Sequence, residues 1–166
     1  MKNNSFDEIR EKIDESEKIA VAAHVNPDGD AVSSCCGMAL ALEKKGKKVS
    51  VFLEDFSDKF DMIPYAEKIL GKAENDDFDL FIALDCGDKE RLGESKGLAE
   101  KVFTVNIDHH ISNTGFGELN FVDAEASSAS ELVYRLLDGW CEMDAEIACA
   151  IYTGIIFDTA CFKHSS

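Results

Sequence analysis

Eight residues of types that bind divalent cations stand out by their setting, in four places: His24 with Asp28 and Asp30, Asp85 alone, the run Asp108-His109-His110, and Asp158. Each has a bland reading when taken singly. Asp28 in Pro-Asp-Gly suits a turn, Asp30 a helix N-cap, and Asp85 a polar strand terminus before Gly87. A lone histidine is more often a hydrogen-bonded structural group than a ligand, whereas an adjacent histidine pair after an aspartate is harder to dismiss. Asp158 ends the apolar segment from Ala148 to Phe157, where a helix dipole disfavours a carboxylate by up to about 1 kcal/mol unless a cation is near. Hard carboxylates mixed with neutral imidazoles, without thiolates at ligand spacing, suit manganese first, and magnesium or iron next, better than structural zinc. Four aspartates and two histidines exceed the needs of one ion. They are enough for two neighbouring sites about 3.5 to 4 Å apart, an arrangement that serves phosphate ester hydrolysis.

Such residues act together only if the chain brings them to one place. The apolar run Ile19 to His24 stops at Asn26-Pro27-Asp28-Gly29, a turn signature that a strand does not cross. Asp30 to Lys45 carries Val32, Cys36, Ala39 and Leu40 at helical spacing and meets Gly46, the expected C-terminal glycine. Further strands are predicted at 49–53, 80–84 and 102–107. Capping boxes at Ser5/Glu8 and Ser128/Glu131 open helices to about Ser16 and Leu137, and another helix is predicted from about Asp144 to Phe157. Residues 54–77 read as loops with a short helix around Met62 to Ile69. Apolar strands alternating with helices imply an α/β fold, a mostly parallel sheet with helices on both faces. Ligands of such sheets bind outside the carboxyl ends of the strands. His24, Asp85 and Asp108-His109-His110 all stand at those ends, and three of the four histidines are among them.

Composition bounds the rest. The chain has 166 residues, room for one core, with 45% hydrophobic and 30% charged residues. Its 11 Gly and 2 Pro are too few for a fibrous or linker-rich chain. A net charge of −16 rules out simple electrostatic attraction to nucleic acid or anionic membranes, so no stable binding to duplex nucleic acid is expected. No apolar run approaches the roughly 18 residues of a spanning helix, and Met1 to Glu8 lacks the apolar core of a signal peptide, so a cytoplasmic location is expected. The six cysteines contain no Cys-x-x-Cys pair and read as reduced, mostly buried thiols. Lys44, Lys45, Lys47 and Lys48 form a basic run that reads as a solvated helix end.

The sequences His24-Val-Asn-Pro-Asp-Gly-Asp-Ala31, the lone Asp85, Asp108-His-His-Ile-Ser-Asn113 and Gly154-Ile-Ile-Phe-Asp-Thr159 resemble, in order, four motifs of the DHH phosphoesterase superfamily. Their wording is most similar to the bacterial oligoribonucleases that also dephosphorylate phosphoadenosine phosphate, the nanoRNases. The resemblance implies one metal on His24, Asp28 and Asp85 and a second on Asp30, Asp85, His109 and Asp158, with Asp85 bridging. It also implies that His110 faces the substrate phosphate and that Asp108 orients the histidine pair. The implied activity is hydrolysis of short RNA or a small nucleotide by water activated between two manganese ions. Ser33 and Ala160 depart from glycines common in the family, close to the metal rim. Residues 1–166 then make one catalytic domain, and the smaller substrate-binding domain that follows in the family is expected to be missing, as in a fragment. Two divalent ions would offset only four of the sixteen negative charges, so the cations that grip an oligonucleotide are expected in that second domain.

Rival readings keep the metals and change the substrate: a cyclic dinucleotide, single-stranded DNA or inorganic pyrophosphate. A catalytically silent metal-dependent binding module is the reading from another class, against which stands the occupation of every catalytic-type position. Homodimerisation is left open.

Overall fold

The computed structural model describes residues 3–163, so His164 to Ser166 and the first two residues of the N-terminal segment lie outside it. Five strands, β1 (Lys18–Ala22), β2 (Lys48–Phe52), β3 (Leu80–Leu84), β4 (Thr104–Asp108) and β5 (Leu119–Val122), form one sheet in the order β2-β1-β3-β4-β5. All neighbours are parallel, with Val21 opposite both Val51 and Ile82, and Ile82 opposite Val105. Every carboxyl end therefore lies along one edge. That register carries His24, Asp85 and Asp108 to a common rim.

The two faces are covered unequally. Ile19, Val21, Val51, Leu80, Ile82, Val105 and Ile107 share a core with α1 (Phe6–Glu15), α2 (Gly29–Lys44), α4 (Ala129–Leu137) and α5 (Ala145–Asp158). The opposite face, with Ala20, Ala22, Phe81 and Ala83, is covered by Leu92 from a 3-10 turn at Lys89–Ser95, by Leu98 and Ala99 from the one-turn α3 (Lys96–Ala99), and by Val102 just after it. The expected layers are present, and the second is thin.

Local chemistry explains the helices that matter for the rim. Ser5 and Glu8 close the expected capping box on α1. The N-cap of α2 is Asp28, whose side chain accepts from the backbone of Asp30 and Ala31, so the cap reading suggested for Asp30 belongs two residues earlier. Helix α2 is buried on nearly every side because α4, α5 and the sheet surround it. Its small residues permit this, and a methyl group on Gly37 would press on Ile151 of α5.

Two elements differ from the sequence reading. Strand β5 went unpredicted: it is four residues long, interrupted by Asn120, and too short for an alternating pattern. Its free edge is closed by the chain's own start, where Asn4 and Asn120 exchange hydrogen bonds and Asn3 pairs with Val122. Around Met62 the chain makes 3-10 turns at Asp58–Phe60 and Ala66–Lys68 in place of a longer helix. Cys35, Cys36 and Cys86 are buried and all six thiols are free, while Cys149 and Cys161 are exposed. The basic run is consumed at the surface, with Lys44 on Asp144, Lys45 on Asp14 and Lys48 on Glu17.

Candidate metal centre

Asp85 stands in the middle of the rim. Its backbone is left-handed, with φ of 50°, and the residue is 2% exposed. An aspartate tolerates that conformation better than most residues, and the turn aims its carboxylate along the strand ends. His24 Nε2 lies 3.5 Å from Asp85 Oδ2, and His109 Nε2 lies 3.4 Å from Asp85 Oδ1. Oδ1 nevertheless has no hydrogen-bond donor although it is buried. A buried carboxylate oxygen without a donor is costly, and a cation at this point removes the cost. The donor set therefore fits a metal on an observation independent of motif.

Ligand atoms gather along the rim in three overlapping groups. His24, Asp28 and Asp85 form one, Asp30, His109 and Asp158 a second, and Asp85, His109 and His110 a third, each with atoms within 4.8 Å of one another. All six residues expected to hold metal are brought together. His24 donates Nδ1–H to the carbonyl of Val25 at 2.9 Å, leaving Nε2 with a lone pair facing the cluster. Asp28 caps α2 with Oδ1, which leaves its other oxygen for a ligand. The turn reading and the ligand reading are thus compatible.

Asp30 is fully buried and held from an unexpected direction. The backbone N–H groups of Ala129 and Ser130, at the start of α4, donate to it at 2.7 and 3.0 Å. A helix N-terminus carries partial positive charge, so α4 positions this carboxylate and favours its ionised form. Asp158, on the last residue of α5, reaches His109 Nε2 at 3.4 Å. Gly154, one turn earlier, explains part of its motif: a methyl group there would collide with Ser130 Oγ and Asp30 Oδ1.

The histidine pair divides its work. His109 faces Asp85, Asp158 and, at 4.0 Å, Asp30. His110 Nδ1 instead donates to Asp108 Oδ1 at 2.7 Å and lies 3.6 Å from Asp85 Oδ1. Asp108 is itself buried and receives the Asn113 amide at 2.6 Å, and Asn113 also donates to Asn106. The supports that sequence reasoning missed are Asn106, Asn113 and the N-terminus of α4. Asn113 was visible as the last letter of its motif, whereas backbone N–H groups leave no trace in residue type.

Titration follows this geometry. Burial and the charge of Asp85 push Asp30 upward, and burial does the same to Asp158. Burial also pushes Asp85 up, but the close imidazoles of His109 and His24 outweigh it and hold its carboxyl well below the usual range. His24 is raised by the neighbouring Asp85 carboxylate and His110 by its bond to Asp108. Burial works against the charged form of His109, yet Asp85 and its neighbours raise it to about 9. Below that value His109 carries a proton, which a metal ion must displace to use Nε2. Metal affinity should therefore fall as pH drops below 9, and binding at pH 7 should release about one proton or more. Calorimetric titration with manganese in buffers of different ionisation enthalpy measures the release. A result of zero would remove His109 from the ligand set.

A family model for the DHH family, N-terminal domain, matches residues 18–155. The bifunctional oligoribonuclease and PAP phosphatase NrnA of Thermus thermophilus is 33% identical over 161 residues, covering 89% of this chain and 45% of that protein. An exopolyphosphatase-related protein from Bacteroides fragilis superposes with a TM-score of 0.88 at 30% identity, over 96% of this chain and 51% of its own. RecJ in complex with Mn2+, also from Thermus thermophilus, shares the fold with a TM-score of 0.60 at 18% identity, over 96% of this chain and 25% of its own. The chain spans about half the length of the curated relatives it matches.

Proposed function

We propose a reaction for this chain from the premise that it belongs to the DHH family. It is metal-dependent hydrolysis of phosphoester bonds in short oligoribonucleotides and in phosphoadenosine phosphate. The observation that carries this reading is the gathering of six ligand residues into overlapping groups about Asp85, whose buried Oδ1 has no donor, beside a histidine whose Nδ1 is held by Asp108. We assign two cations, one to His24, Asp28 and Asp85 and the other to Asp30, Asp85, His109 and Asp158. Manganese is preferred for its fit to mixed carboxylate and imidazole donors. Bound divalent cations supply neutralisation of phosphoryl oxygens and acidification of water.

The chain's own groups do the rest. Asp108 accepts the Nδ1–H of His110, which fixes the ring and leaves Nε2 for the substrate. Asn113 holds Asp108 in place from its other oxygen. The same carboxylate raises the pKa of His110, so the ring carries positive charge nearer neutrality and can bind a phosphoryl oxygen or give a proton to the leaving oxygen. Asp30, fastened to α4, and Asp28, fastened to α2, keep the ligand oxygens in position without reorganisation.

The protein's charge of −16 argues that the grip on an oligonucleotide comes from outside these residues. Metal-stripped protein resupplied with manganese should hydrolyse bis(4-nitrophenyl) phosphate slowly, release mononucleotide from short RNA less well, and leave pyrophosphate intact. Lower salt should not rescue the RNA reaction, because repulsion lengthens its reach along with attraction. Cleavage of pyrophosphate with nucleotides untouched would transfer the site to inorganic diphosphate. Absence of any metal-dependent hydrolysis would leave the silent binding module.

A further inference from the structure

An aromatic ring is built into the cation rim. Phe157 precedes the ligand residue Asp158 in the last turn of α5, and its ring lies on Gly29, the residue between Asp28 and Asp30. A methyl group on Gly29 would collide with that ring, so α2 opens with the residue that lets an aromatic side chain rest on the backbone joining two ligands. Phe60, from the turn at Asp58–Phe60, meets Phe157 edge to face, with ring centroids 6.0 Å apart and planes at 72°.

Exposure by itself marks nothing, since single apolar residues are common on protein surfaces. What sets Phe157 apart is that its ring is held by two neighbours and still 46% exposed, beside groups assigned to cations. Phe60 is buried and carries the Lys59 ammonium over its ring at 4.6 Å, so it supports Phe157 and offers no open face of its own. Among the described residues, the other exposed aromatic side chains make their contacts elsewhere. Tyr134 and Tyr152 line a groove between α4 and α5, Phe162 leans on Tyr152, and Phe103 lies under Lys12.

We propose that Phe157 is a stacking platform for a nucleobase of the substrate whose phosphate is held at the cations. The proposal rests on the phosphoesterase reading above and adds recognition of a base to it. A base stands one sugar away from its phosphate, and Phe157 stands next to Asp158 in the chain and against the backbone between Asp28 and Asp30. Every base has a π-face, so stacking needs neither charge nor a particular base. That suits a chain of net charge −16, because a neutral contact gains nothing from cations and loses nothing to the acidic surface. The ring holds one base, which is separate from the grip on a run of phosphates. AMP carries the phosphate, the sugar and the base, whereas ribose 5-phosphate lacks only the base.

The test is equilibrium binding of AMP and of ribose 5-phosphate to the manganese-loaded chain, with hydrolysis of phosphoadenosine phosphate followed in parallel. The unaltered chain should bind AMP at least about fivefold more tightly than ribose 5-phosphate. Phe157→Leu keeps apolar bulk without a flat face and should bring the two affinities within about twofold, while Phe157→Tyr should keep the preference. No preference in the unaltered chain, a preference that survives Phe157→Leu, or one that is lost in Phe157→Tyr overturns the proposal. A Phe157→Leu chain that loses manganese, or weakens both ligands equally, makes the ring a support of the metal rim and overturns it too. Hydrolysis by an unaltered chain that shows no preference for AMP keeps the phosphoesterase reading and removes the base site. If the preference depends on Phe157 while nothing is hydrolysed, the base site stands and the phosphoesterase reading is the one that fails.

Discussion

Asp85→Asn should leave the protein unable to hold either cation tightly and reduce turnover by about a thousandfold or more. The reason is geometric. Asp85 Oδ2 faces His24 and Oδ1 faces His109, so one carboxylate belongs to both ligand groups, and among the described residues no other does so for these two histidines. Asparagine keeps the volume, so no cavity opens in a fully packed rim, but it removes the charge and points an amide at the imidazoles. Those imidazoles also lose the partner that raises their pKa, and His24 and His109 should titrate lower than in the parent chain. Elemental analysis after dialysis, followed by manganese titration, reads the metal content. One ion retained at parental affinity would show that Asp85 serves a single site.

His110→Ala should separate chemistry from metal binding, keeping both cations while turnover falls by about 10²- to 10⁴-fold. His109→Ala should instead lose an ion. The contrast is informative because His110 also lies close enough to Asp85 and His109 to join a ligand group. What argues against that role is its Nδ1, which is committed to Asp108 at 2.7 Å. Manganese content and rate, measured on the same preparations, decide the matter. Equal loss of metal in the two variants would make His110 a ligand and leave the leaving group without its assigned donor.

Much of this site could be read from residue types because His24, Asp85 and His109 follow strands, Asp28 and Asp30 open a helix and Asp158 ends one, and these events have local signals. Pro27-Asp28-Gly29 marks the end of β1, and Gly87 follows Asp85 where β3 stops, so carboxyl ends could be located without coordinates. Strand β3 occupies the residues expected, whereas β1 and β4 are offset by one or two at their ends, where pairing with neighbours decides. Long-range support had no such signal. The clasp of Asp30 by α4 uses backbone groups, and the closing of β5 by Asn3 and Asn4 joins residues more than a hundred positions apart. The 3-10 turns near Met62 were likewise illegible, since Tyr65 takes a left-handed backbone that no local pattern announces.

The bonds from Ala129 and Ser130 to Asp30 span 99 and 100 positions of chain. Closing a loop of that length is entropically expensive and must precede any reward from the contacts it makes. A nascent chain that has emerged only as far as β4 has His24, Asp28, Asp85 and the histidine pair, but neither the clasp on Asp30 nor Asp158. The complete set of ligands thus exists only after α4 and α5 have docked on α2. Cations that require this set have little to hold in earlier states, so they do not template the fold. They lock it afterwards, favouring the closed state by mass action and slowing its opening more than they hasten its formation.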